Sequence, residues 1–172
     1  VSLGRFVMSE ALAKTAQWRQ EFDPDFRIAI NLSPRQFRDS ELVPYIENVL
    51  QQYSVPGNCL ELEITEGLLM SGHGSIDEIL SQLNEMGVGI AMDDFGTGYS
   101  SLSYLRQYPF DVLKIDKSFI KDITRNADDA AISEAVIALG QAVEHIGVHI
   151  IGNKKNDIGS LVLLHRIASH HH

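Results

Sequence analysis

A chain of 172 residues, 44% apolar and 22% charged, has the length for one domain with a sizeable core, and the composition of a globular rather than a disordered protein. The formal charge of −9 argues against binding a nucleic-acid polymer, which needs a basic surface, but it leaves open a phosphate ligand brought in by metal ions. No apolar run approaches about 18 residues and no signal peptide is evident, so membrane insertion is not expected; the single Cys59 leaves no intrachain disulfide and fits a reducing cytoplasm.

Helical and β-rich patterns alternate along the chain. A helix is expected over Ser2 to Glu21, with Phe6, Ala13, Ala16 and Trp18 on roughly one side. Phe26 to Ile30 reads as the first strand, and Glu41 to Tyr53 as the helix after it. Cys59 to Ile64 forms the second strand, Ser75 to Met86 a helix, and Val88 to Met92 the third strand. Asp111 to Ile115 and Val148 to Ile151 complete the strands, with a helix over Ala130 to Ile146 whose start is favoured by Asp128 and Asp129. Strands and helices alternating at this spacing imply parallel βα units, hence one α/β domain.

The polar residues at the strand ends line up with that rhythm. Asn31 follows the first strand, Glu63 lies near the end of the second, and Asp93 and Asp94 close the third, with Lys114 inside the fourth. Separations of about one βα unit place the first three at the carboxyl ends of successive strands, which converge on one face of a parallel barrel. Two adjacent carboxylates repel unless a cation sits beside them, and the glycine-rich stretch Phe95 to Ser101 lets backbone approach what that cation holds. An all-oxygen donor set suits a hard cation, Mg²⁺ or Mn²⁺. A lysine buried beside it can hold an anionic oxygen or orient a water. Blander readings exist for each residue alone: Asp93 and Asp94 could cap a helix opening near Thr97, Glu63 could be a solvated strand residue paired with a lysine, and Thr65 and Glu66 could be ordinary turn residues. The joint spacing carries the weight.

Four segments resemble the EAL-domain phosphodiesterases of bacterial cyclic di-GMP signalling: Asn31 to Phe37, Leu60 to Glu66, Asp93 to Ser101, and Lys114 to Ile120. The resemblance runs from about Ser2 to Ile151. It implies a TIM-type (β/α) barrel that binds two divalent cations and hydrolyses cyclic di-GMP to linear pGpG. By motif, it implies Asn31, Glu63, Asp93 and Asp94 as metal ligands and Lys114 as the residue that positions the water. The Phe95 to Ser101 turn resembles the loop that couples metal binding to dimerisation in the family.

Departures from the family pattern stand beside these matches. The Glu-Ala-Leu strand that should precede Ser2 is not in the sequence, and Glu10-Ala11-Leu12 spells it only by coincidence within a helical pattern. Asn153 and Asn156 stand where the family has glutamates, the first of them the general base; an amide cannot take a proton from water at neutral pH. The last family strand is also missing. The expectation is a partial EAL domain over 1–169, an incomplete barrel lacking N-terminal and C-terminal strands, with His170 to His172 left from a purification tag. Truncation and degeneracy both account for the gaps. Exposed parallel edges favour association with a second copy. Three functions follow: a metal-dependent cyclic di-GMP phosphodiesterase with little turnover in this chain, a catalytically silent receptor or protein-interaction module, and, remotely, an unrelated Mg²⁺-and-lysine enzyme of enolising chemistry.

Overall fold

The computed structural model describes residues 2–70, 76–95, 107–116 and 147–151. Ten elements follow one another there: α1 (Ser2–Glu21), β1 (Ile28–Asn31), α2 (Pro34–Phe37), α3 (Leu42–Tyr53), β2 (Leu60–Thr65), α4 (Glu66–Met70), α5 (Ile76–Glu85), β3 (Gly89–Phe95), β4 (Val112–Asp116) and β5 (Gly147–Ile151). A 3₁₀ turn, Gly57–Cys59, leads into β2. The five strands pair in chain order, β1-β2-β3-β4-β5, and every pairing is parallel. This is the succession of staves in a TIM-type (β/α) barrel, of which the described residues form a part. The helix expected over Ala130 to Ile146 and the residues around Asn153 lie outside the described residues.

Alternation along the strands divides the sheet into two faces. On β2, Leu60, Leu62 and Ile64 are each 1% exposed, whereas Glu61, Glu63 and Thr65 between them are partly exposed. Ile30, Ile90, Met92 and Leu113 join the buried face, and the helices close over it with Met8, Leu12, Ile46, Val49, Leu80 and Leu83 in one continuous core. Each fully buried aliphatic side chain contributes about 1.5–3 kcal/mol relative to exposure, so this face supplies most of the driving force.

The helices start and stop for local reasons. In α3, Leu42, Ile46, Val49 and Leu50 recur at helical spacing and are buried; Pro44 falls within the first turn, where its missing N–H costs nothing. The helix ends at Ser54, in the left-handed region (φ 55°), and Val55 N–H then closes on Leu50 O at 3.0 Å. α5 buries Ile76, Leu80 and Leu83, carries Asp77 and Glu78 in its first turn, and stops at Gly87 (φ 76°). Gly57 has no room for a side chain, because a Cβ there would sit 1.9 Å from Met86 O, where the 3₁₀ turn meets the end of α5.

α1 departs from its expected orientation. Phe6 is 62% exposed and Trp18 38%, and the buried stripe is Met8, Leu12 and Thr15 instead. The spacing i, i+4, i+7 is helical, but Thr15 disguises it: a polar residue enters the core because its hydroxyl donates to Ala11 O at 2.9 Å. Polar contacts fix the helix on its neighbours. Arg5 pairs with Asp39 at 2.8 Å and lies 5.0 Å from the Tyr45 ring, while the Tyr45 hydroxyl donates to Arg5 O at 2.5 Å.

Candidate functional site

β1 ends on Asn31, exposed and in register with Glu63. The chain then turns at once into α2, where Ser33 and Gln36 form a reciprocal capping box and Pro34 occupies the first turn. That short helix, with Phe37 buried beneath it, fixes the direction in which the chain leaves Asn31.

Glu63 lies on the polar face of β2, and Lys114 of β4 donates to its Oε1. The same ammonium lies 3.2 Å from Glu61 Oε1. Between the two strands runs β3, whose residues in register with Glu61 and Glu63 are Gly89 and Ala91. Lys114 and the glutamates thus meet across β3, over two strand spacings, roughly 10 Å. Lys114 is 7% exposed, in line with its apolar flanks. Burial by itself would depress the ammonium, but the hydrogen bond and charge of Glu63, with Glu61 behind them, outweigh it, and the Lys114 pKa is raised above the ordinary lysine value.

Asp93 and Asp94 fall inside β3, which runs on to Phe95 and does not end before them as the sequence pattern had suggested. Met92 pairs with Leu113 and Phe95 with Ile115, so two aspartates on β3 span the single residue Lys114 on β4. This is a bulge in a parallel pair, a rare feature that re-aims side chains. Asp94 adopts the left-handed region (φ 54°), and its N–H donates to Asp93 Oδ1 at 3.0 Å. The helix start considered near Thr97 lies outside the described residues. Asp93 is half-buried and in register with Thr65, two residues nearer the carboxyl end of β2 than Glu63.

Two residues stand out that the sequence pattern had not marked as functional. Glu61 shares Lys114, and its alternation with Glu63 was the signal for it. Glu66 is not a turn residue: it opens α4, is 4% exposed, and neither carboxylate oxygen has a hydrogen-bond partner among the described residues. A buried carboxylate without a partner is costly, so this end of β2 has an unmet demand for positive charge or for donors.

That demand, together with the oxygen-only donors Asn31, Glu63, Asp93 and Asp94, fits a hard divalent cation. Among the described residues no three acidic, histidine or cysteine side chains are already gathered closely enough to hold one. Lys114 now occupies the Glu63 carboxylate. The donor chemistry fits.

Five parallel strands in chain order, each step made by a βα unit, are the architecture of part of a TIM-type barrel domain, and the polar cluster lies toward the carboxyl ends of those strands. The EAL domain family model matches residues 1–148, and the chain belongs to that family. It is 43% identical over 143 residues to the bifunctional diguanylate cyclase/cyclic di-GMP phosphodiesterase MucR of Pseudomonas aeruginosa, covering 83% of this chain and 21% of that protein. It is 33% identical over 143 residues to the cyclic di-GMP phosphodiesterase PdeR of Escherichia coli, covering 83% of this chain and 22% of that protein. Among solved structures, a P. aeruginosa MucR phosphodiesterase in complex with c-di-GMP superposes with a TM-score of 0.82 at 40% identity, over 91% of this chain and 63% of that one. The EAL domain of Mycobacterium smegmatis DcpA gives 0.79 at 35% identity, over 87% of this chain and 66% of that one. The chain spans about a fifth of the length of these two curated relatives. It is thus an EAL domain, similar to proteins named as cyclic di-GMP phosphodiesterases. No helix among the described residues is long and apolar enough to cross a membrane.

Proposed function

We propose that this chain binds cyclic di-GMP at the carboxyl ends of its strands together with Mg²⁺ or Mn²⁺, and that it hydrolyses the dinucleotide to pGpG slowly at most. Asn31, Glu63, Asp93 and Asp94 are the residues that would hold the cation. When bound, the cation polarises the phosphodiester and lowers the pKa of a bound water. The observation that carries the reading is the buried Lys114 ammonium gripped by Glu63 beneath the Asp93–Asp94 bulge. A protonated lysine there can donate to an anionic phosphate oxygen or orient a water, and its raised pKa keeps it charged throughout the neutral range.

Slow turnover rests on Asn153. Its amide stands where the family resemblance implies a general base, and it has no site to receive the water's proton. The bound dinucleotide then acts as a retained ligand, the behaviour of a receptor. The buried Cys59, whose thiol pKa burial pushes up, suits a reducing cytoplasm. Within the described sheet, β1 and β5 each pair on one side only, and those edges are where a second copy would associate.

Calorimetric titration of cyclic di-GMP, with and without Mg²⁺ or Mn²⁺, and chromatography of the same samples test the reading. Cation-dependent heat with intact dinucleotide is the expected result. Absence of heat under both conditions overturns ligand binding; conversion to pGpG within minutes overturns the role assigned to Asn153.

A further inference from the structure

We infer that Glu61 is a positioning residue for Lys114, holding its ammonium against the wall of the site once a divalent cation takes the Glu63 carboxylate; the inference rests on the cation reading proposed above. Glu61 and Glu63 occupy alternate positions on one face of β2, and both form ion pairs with Lys114, Glu61 at 3.2 Å. Lys114 reaches them from β4 across β3, whose residues in register with the two glutamates are Gly89 and Ala91. At 7% exposure the ammonium needs a counter-charge at all times.

Glu63 has one carboxylate and two claimants. Once committed to a cation, it no longer neutralises the lysine, which is then repelled by that cation and cut off from water by its surroundings. Glu61 resolves the conflict. It lies two residues earlier on β2, away from the end of the sheet where Asn31 and the aspartates sit, so the ammonium moves from one carboxylate to the other while staying buried. Among the described residues, Glu61 and Glu63 are the acidic partners that Lys114 has. The ion pair thus works as a hand-over: Glu63 is released to the cation because Glu61 takes its place.

The test is a double-mutant cycle read by calorimetric Mn²⁺ titration of the full chain: wild type, Glu61→Gln, Lys114→Met, and both together. Glutamine keeps the size of Glu61 and removes its charge. The expected result is an affinity about tenfold weaker in Glu61→Gln (~1.4 kcal/mol). In the Lys114→Met background the same change should alter affinity by less than about twofold, because no ammonium remains to be held. Lys114→Met alone should bind Mn²⁺ at least as tightly as wild type. Equal losses in both backgrounds overturn the inference and make Glu61 a direct ligand or a general source of negative field. An unchanged affinity in Glu61→Gln overturns it while leaving the cation reading intact. Failure of the wild type to bind Mn²⁺ overturns the cation reading and the hand-over together.

Discussion

The two faces of β2 differ in what their residues accomplish, although they alternate within one six-residue strand. Leu60, Leu62 and Ile64 are buried under the helices, whereas Glu61 and Glu63 on the other face hold Lys114. The apolar face works through area, and its effect is non-directional and additive in size. The polar face works through pairing, so the identity and reach of each side chain matter more than its volume. Changes on the first face should therefore be felt in stability and changes on the second in ligand affinity.

The largest effect is expected from Leu62→Ala, which should lower the unfolding free energy by about 2–5 kcal/mol in urea titration while leaving Mn²⁺ affinity of the folded fraction unchanged. A comparable loss of affinity would mean that the faces are not separable. Next comes Lys114→Met, which strands two neighbouring carboxylates at a cost on the order of 2–4 kcal/mol, reduced from the fully buried case because Glu61 remains partly exposed. Added Mn²⁺ should raise the Tm of this variant more than that of wild type. Because the Lys114 pKa is raised on folding, its contribution is complete below the ordinary lysine value of 10.5 and is lost as pH rises through the higher folded value. The stability difference between wild type and Lys114→Met should thus hold constant across neutral pH and shrink only in strong alkali. Ala91→Leu adds bulk on β3 at the residue in register with Glu63 and should cost about 1–3 kcal/mol by overpacking. It should also make Mn²⁺ affinity insensitive to Glu61→Gln.

The smallest effect lies away from both faces. Asp39 accepts from Glu41 N–H and pairs with Arg5, which together hold its carboxyl below the usual range against the opposing effect of burial. A depressed pKa contributes stability above the unfolded value of about 3.9 and loses it as pH falls through the folded value. Wild type should therefore be slightly more stable than Asp39→Asn near neutrality, with the gap closing in acid; a gap independent of pH would assign the effect to packing.

Much of this was legible in the amino-acid order. The strands announced themselves as short β-rich runs, and Lys114 was recognisable as a buried cation because apolar residues flank it on both sides. Asn31, Glu63 and Asp93 were spaced as successive βα units require, and the register brings Asn31 beside Glu63. Other features were hidden by physics that acts at long range. α2 and α4 are too short to show a period, although the Ser33 and Gln36 pair with Pro34 was a usable signal for α2. The face of α1 was misread because an internal hydroxyl bond makes Thr15 behave as a core residue. Glu66 gives no local sign of burial; it is buried where α4 packs against β2 and β3. The partnership of Glu61 with Lys114 joins residues 53 positions apart on strands that are not neighbours.

The bulge at Asp93 and Asp94 has a consequence for how this segment tolerates change. Ordinary alternation would set Phe95 on the same side as Asp93, yet Phe95 pairs with Ile115 and is buried in the core. The extra residue is a phase slip: it reverses the reading frame of inside and outside partway along β3. Deleting one aspartate would put Phe95 two places after Met92, in ordinary alternation and still on the core face, with a single aspartate left opposite Lys114. The extra residue is therefore what sets two donors side by side on the site while the core beyond them keeps its place.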